Sequence, residues 1–230
     1  MDEQLHSASK QMVVKSNDFI QQKRYDLTIA QQKILCYIIS KIKPDETDFK
    51  KEIISINEFC TLCGQNTPDY TFVREVLDSL YKNNFWYDDT EAKSMKNYTW
   101  IDGDMEINYG EGTVSIKLSE ALKPYLLNLK GKFTQYQLIN VLSLRSKYSI
   151  RLYELLKSYQ NLDNSLIIKV EKLRSLLMCD DTYKEFKYFN RYVLSNSIED
   201  INKHTDITVF QYPQKSGKKT TAIMFVIVKK

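Results

Sequence analysis

The chain has 230 residues, 43% of them apolar, and a net charge of +4. That apolar content suits one large or two small packed domains and excludes a disordered chain. No apolar run approaches the ~18 residues that span a bilayer, and residues 1–10 lack the apolar stretch of a signal peptide, so the sequence reads as soluble and cytoplasmic, with no membrane partner.

The charge is uneven. Residues 1–132 hold 17 basic and 20 acidic side chains, whereas residues 133–230 hold 16 and 9. A polyanion would therefore be held mainly by the second half.

Residues 1–12 read as a flexible tail. A helix is expected over about 16–24. Thr28 can cap a second helix reaching Lys43, with Ile34, Leu35, Ile38, Ile39 and Ile42 inward. Ile53–Ile56 reads as a strand, Asn57–Cys63 as a short helix, and Pro68–Lys82 as a longer one with Phe72, Val76, Leu77 and Leu80 inward. Strands follow at 84–89, 98–109 and 113–118, then a helix over 119–129.

The order then recurs. Helices are expected over Thr134–Leu142 and Ser146–Tyr159, a strand over 165–170, and a short helix to Met178. A long helix from about Thr182 to Lys203 precedes strands at 207–212 and 220–228, joined by Pro213–Lys219. Helices followed by a hairpin, twice over, predict an α+β chain of two tandem winged-helix domains. Their expected extents are 13–131 and 132–230.

Within the long helix, Phe186, Phe189, Val193, Ile198 and Ile201 form one apolar stripe. Lys184, Lys187 and Arg191 lie opposite, beside Tyr188 and Ser195. The major groove of B-DNA is about 12 Å wide and admits such a helix. Lysines suit phosphates, and the arginine fork suits a guanine edge. Taken alone, a solvated amphipathic face is the competing reading. The following hairpin tip adds Lys215, Lys218 and Lys219 around Gly217, a cationic wing beside a basic helix. In the first half, Tyr70, Thr71, Arg74 and Lys82 could face DNA with Lys93 and Lys96 as a wing, but Asp69, Glu75 and Asp78 accompany them. A structural role for that helix stays open.

Other chemistry finds little footing. Cys60 and Cys63 have the spacing of half a zinc knuckle, but no second pair follows, and buried thiols are the simpler reading. The histidine pair of a nickase is missing, as are Gly-rich phosphate and nucleophile motifs. Neither an enzyme nor a cofactor is expected.

The run Phe133-Thr134-Gln135-Tyr136-Gln137-Leu138, the segment Leu144–Lys157 with its Ser-x-Tyr-Ser-x-Arg-Leu-Tyr-Glu core, and Ile198–Ile207 resemble the iteron-binding replication initiators of theta-replicating plasmids. So do Ser16-Asn17, Tyr25–Thr28 and Gln31–Lys33. The resemblance covers about residues 13–228. It implies two winged-helix domains on successive turns of one double-stranded repeat, and a monomer that initiates at the origin. It also implies a dimer that represses its own promoter, and recruitment of a host helicase and initiator proteins. Its recognition helix falls on Lys184–Ser195 and its wing on Lys215–Lys219. Arg145 and Lys147 are read as phosphate contacts. For Arg151, a phosphate contact and a pairing with Glu154 are equally open. A transcriptional regulator of the same fold is the alternative function.

Overall fold

The structure, a computed structural model, describes residues 10–89, 93–160 and 163–230. The chain divides into two compact units. One holds the first strand and Leu27–Leu138; the other holds Asn17–Asp26 and Ile139–Lys230. The chain therefore leaves the first unit for ten residues, returns, and leaves again, rather than dividing by a single cut near 131. The expected tail lies mostly outside the described residues, but Met12–Ser16 form strand β1. Helix α1 is Asn17–Gln22 and belongs to the second unit.

In the first unit, α2 (Ile29–Ser40) begins at a reciprocal capping box. The Thr28 hydroxyl accepts the Gln31 N–H, and the Gln31 carboxamide accepts the Thr28 N–H. Ile34, Leu35, Ile38 and Ile39 are buried as their spacing predicts. β2 (Lys51–Ser55) runs into α3 (Ile56–Leu62), where the Ser55 hydroxyl accepts the Glu58 N–H. Helix α4 (Tyr70–Lys82) is capped by Asp69 and buries Val73, Val76, Leu77 and Leu80. Phe72, expected inside, is only half-buried.

β3 (Phe85–Asp89) and β4 (Ser94–Tyr98) pair with each other as a separate hairpin. The expected strand at 98–109 is broken: Ile101 makes a lone bridge to Leu118, and only Glu106–Asn108 forms β5. β6 (Thr113–Lys117) is the centre of the sheet β2–β6–β5. The expected helix at 119–129 is a 3₁₀ turn followed by the single turn α5 (Lys123–Leu126).

Residues 133–137 correct the sequence reading. They form strand β7 (Phe133–Gln137), antiparallel to β1, and helix α6 starts only at Leu138 (Leu138–Leu142). Thr134 and Tyr136 are buried while Phe133, Gln135 and Gln137 are exposed, a strict period of two. The partner that makes this run a strand, β1, is distant in sequence.

In the second unit, α7 (Lys147–Gln160) is buried along most of its length. Its Arg151 is 5% exposed, lies over the Tyr25 ring at 4.0 Å, donates to the Tyr25 hydroxyl (2.5 Å), and pairs with Glu154 (3.4 Å). The open choice for Arg151 is thus settled in favour of a structural ion pair. β8 (Ser165–Lys169) leads into α8 (Val170–Leu176). Helix α9 (Phe186–Phe189), a π-helical segment (Asn190–Ser195) and α10 (Asn196–His204) follow one another without a gap. β9 (Ile207–Ser216) and β10 (Lys219–Lys229) complete the sheet β8–β10–β9. The strands run on to a two-residue turn, where a longer loop was expected. Gly217 takes φ +60°, which a tight hairpin requires. Pro213, expected in the loop, is tolerated because β9 is an edge strand.

Candidate nucleic-acid interface

The run Phe186–His204 is the candidate recognition helix of the second unit. Phe189, Val193, Leu194, Ile198 and Ile201 face the core, while Phe186 is half-buried. The wider π turn permits both Val193 and Leu194 to be fully buried beside the exposed pair Arg191 and Tyr192. Lys187, Tyr188, Arg191 and Tyr192 all point outward.

These four form a cation–aromatic cluster. Lys187 lies 4.6 Å from the Tyr188 ring centroid and Arg191 5.5 Å from that of Tyr192. The Tyr188 and Tyr192 rings stack at 6.2 Å, and Tyr183 packs on Tyr192 at 5.8 Å. Lys187 also pairs with Glu185 at 3.0 Å, whose carboxylate holds the ammonium above its usual pKa. Tyr192 and Tyr183 were absent from the sequence-based candidates. The signal for Tyr192 was available: it sits one turn after Tyr188 on the exposed stripe.

Lys184 requires a correction. It precedes the helix, which starts at Phe186 and not at Thr182. The reason is tertiary. Arg174, 9% exposed, reaches from α8 into the loop. Its Nη1 donates to the carbonyls of Cys179 (3.4 Å) and Thr182 (3.1 Å), and its Nη2 to those of Tyr183 (2.7 Å) and Lys184 (3.2 Å). Its guanidinium also covers the Phe189 ring at 4.3 Å. With those carbonyls engaged, residues 182–184 stay out of the helix, and Tyr183 is held at φ +50°. Lys184 is exposed on the loop beside the helix start, next to Tyr183.

The wing is the β9–β10 turn, with Lys215, Lys218 and Lys219 exposed around Gly217. Helix and wing are tied locally: the Gln211 carboxamide on β9 donates to the Ser195 hydroxyl at 3.5 Å. Ser195 is half-buried and engaged in that bond. Asn202 clasps the same strand through both the N–H and C=O of Val209.

The remaining candidates are scattered. Arg145 is exposed, its backbone N–H donating to Asp200. Lys147 is bound to Asp26 at 2.6 Å. In the first unit, Thr71 and Arg74 are exposed, but Arg74 shares a shallow cleft with Asp78 and Glu106. Tyr70 packs on Tyr109 at 5.2 Å, bracing the start of α4 against the β5–β6 turn. Lys93 and Lys96 border and lie on β4, and the tip of that hairpin falls outside the described residues. Cys60 accepts the Asp69 N–H, and burial pushes the Cys63 thiol up to about 12.

A three-stranded sheet packed with helices occurs in each unit, and each sheet ends in a hairpin after its candidate recognition helix. Fold and surface together define a tandem winged-helix protein with an exposed cationic and aromatic surface on its second unit. The chain belongs to the initiator replication protein family. The family model described as Initiator Replication protein, WH1, matches residues 12–157, and that described as Initiator Rep protein, WH2, matches residues 169–227. A Replication initiation protein of Escherichia coli is 25% identical over 228 residues, which is 95% of this chain and 70% of that protein. The PI protein of Escherichia coli is 34% identical over 135 residues, 51% of this chain and 44% of that protein. The fold matches the crystal structure of the Pi initiator protein in complex with iteron DNA, with a TM-score of 0.77 and 24% identity, covering 96% of this chain and 98% of that one. Among the described residues, no helix is long and apolar enough to cross a membrane.

Proposed function

We propose that this protein initiates plasmid replication by binding iteron repeats at the origin as double-stranded DNA. The observation that carries the reading is the face of the recognition helix. From Phe186 to Ile198 it contains no carboxylate, and it presents Lys187, Tyr188, Arg191 and Tyr192 beside a three-lysine wing. Arg191 reads a guanine edge through its fork. Lys184, Lys187, Lys215, Lys218 and Lys219 neutralise phosphates, and Arg145 adds one more at the start of α7. Tyr70, Thr71 and Arg74 supply a weaker second contact. Membership of the initiator family and the fold shared with an initiator bound to its iteron support this reading. As in the resemblance noted above, the monomer acts at the origin, a dimer represses the protein's own promoter, and host helicase and initiator proteins are recruited.

The test is titration of the protein with DNA flanking its gene. Direct repeats spaced by about two helical turns, roughly 21 base pairs, are expected there. Binding to the repeat should exceed binding to random DNA of equal length by about 10³-fold or more at physiological salt. Equal affinity for both would sink the proposal. Repression is checked separately, by a reporter driven from the upstream promoter with and without the protein.

A further inference from the structure

The sheet of the second unit has two faces, and only one is used by the core. Ile207, Val209, Ile223, Phe225 and Ile227 point inward and are buried. Strand register fixes what points outward. Ile167 of β8 sits opposite Met224 of β10, which sits opposite Tyr212 of β9; in the next row Val226 sits opposite Phe210, and Val228 follows. Ile167 is 67% exposed, Tyr212 51%, Phe210 49% and Val228 47%.

The outward positions carry one charge, Lys169, at the end nearest the wing lysines, and no carboxylate. This is not a consequence of the fold. The corresponding outward rows of the first unit are Lys51–Lys117, Ile53–Ser115–Glu106 and Ser55–Thr113–Asn108, with a single apolar side chain. The largest apolar patch on a soluble domain, about 300–600 Å², is often functional.

We propose that this outer face docks one amphipathic helix of a partner protein, apolar on the buried side and acidic at the end next to Lys169 and the wing. Two arguments choose that occupant. The first is area. Three strands about 4.8 Å apart and six residue steps of about 3.3 Å give a face of roughly 14 by 20 Å, about 300 Å². A stable pair of globular surfaces needs about 800 Å² on each side, so a second copy is under-supplied. A single helix of about 13 residues, rising 1.5 Å each, matches the 20 Å length. The second is charge. Lys169, Lys215, Lys218 and Lys219 make one end of the sheet positive, while the other end mixes Asp163 and Asp206 with Lys229 and Lys230. Packed with like ends together, two copies would lay lysines on lysines, and packed with ends crossed they would meet only a mixed end, whereas an acidic helix end is attracted to the four lysines.

The experiment uses the full chain and two synthetic helical peptides of about 15 residues, each with a leucine face, one carrying glutamates at one end and the other lysines there. Backbone amide shifts and affinities are measured for the wild type, Ile167→Glu and Lys169→Glu. The glutamate peptide is expected to shift β8, β9 and β10 amides and to bind about tenfold tighter than the lysine peptide. Ile167→Glu should weaken it by about tenfold or more, and Lys169→Glu should reverse the preference between the peptides. Both positions are exposed, and a denaturant midpoint close to that of the wild type confirms that the variants are folded. Failure to shift the sheet, indifference to peptide charge, or an unaltered affinity in Ile167→Glu would overturn the proposal. So would a concentration-dependent doubling of mass that Ile167→Glu abolishes, because a second copy would then be the occupant.

Discussion

The two units each place a helix where a winged-helix protein places its reader, and the two helices differ in kind. α4 opens on the Asp69 carboxylate, which accepts the Phe72 N–H at 2.9 Å, and its exposed side alternates Thr71, Arg74, Glu75, Asp78 and Lys82. That is good helix chemistry, since a side-chain cap is worth about 1 kcal/mol and an acid suits the N-terminus. It is poor chemistry for meeting phosphates. The recognition helix of the second unit has the opposite bargain. No side chain caps its start, and its outer face is basic and aromatic. Its stability comes from elsewhere, from Arg174 holding the approach loop and Phe189, Val193 and Ile201 anchoring the underside. A helix that spends its own end on self-stabilisation has less left with which to bind a polyanion.

Arg174 is therefore where the contrast breaks most sharply. Arg174→Met keeps the stem but leaves four carbonyls to find other partners, and each buried carbonyl left unpaired costs about 1–3 kcal/mol. Because the loop can rehydrate in part, the expected loss of stability is about 3 kcal/mol in denaturant unfolding. Repeat-DNA affinity should fall further than the lost stability explains, since Tyr183 and Lys184 lose their positions while the folded fraction stays near unity. A variant with lowered stability and intact affinity would show that the loop need not be held for binding. α4 has no counterpart to this effect, because its cap is a neighbour in sequence.

What could be read in advance follows the same division. The Thr28 cap, the α2 stripe and the apolar side of the recognition helix were legible because the residues involved lie within a few turns of each other. So was the basic half of the chain. The strand at 133–137 has no local mark, because its partner is β1 and alternation over five residues competes poorly with an adjoining helical run. Local pattern carries the helix back to Thr182 because nothing near it in sequence reveals that Arg174 occupies the loop carbonyls. The tie of Lys147 to Asp26 is tertiary and leaves no local mark in the sequence. The π turn is set by packing and has no simple sequence mark.

Within the second unit, Arg191 and Lys218 sharpen the comparison between reading and holding. Arg191→Ala should cost about 1–3 kcal/mol on the repeat and relax specificity at one base position, measured on a panel of single-base variants. An equal loss on random DNA would make Arg191 a phosphate contact only. Lys218→Ala should weaken every sequence alike and lower the slope of log affinity against log salt by about one. An unaltered slope would place the wing away from the backbone.

The smallest effect belongs to α4, and it is the one that decides whether the two helices differ in kind or only in degree. Arg74 shares its cleft with Asp78 and Glu106, all three exposed, so a phosphate arriving there meets two carboxylates whose repulsion water screens in part. Arg74→Ala should change repeat affinity by about 0.5 kcal/mol or less, the range of an ordinary surface substitution. Asp78→Asn should then strengthen binding by a similar amount, because it removes a repulsion rather than adding a contact. If Arg74→Ala instead costs as much as Arg191→Ala, α4 reads DNA directly and its acids serve to exclude wrong sequences. The asymmetry of charge between the halves would then describe how binding is divided between the units, not which unit binds.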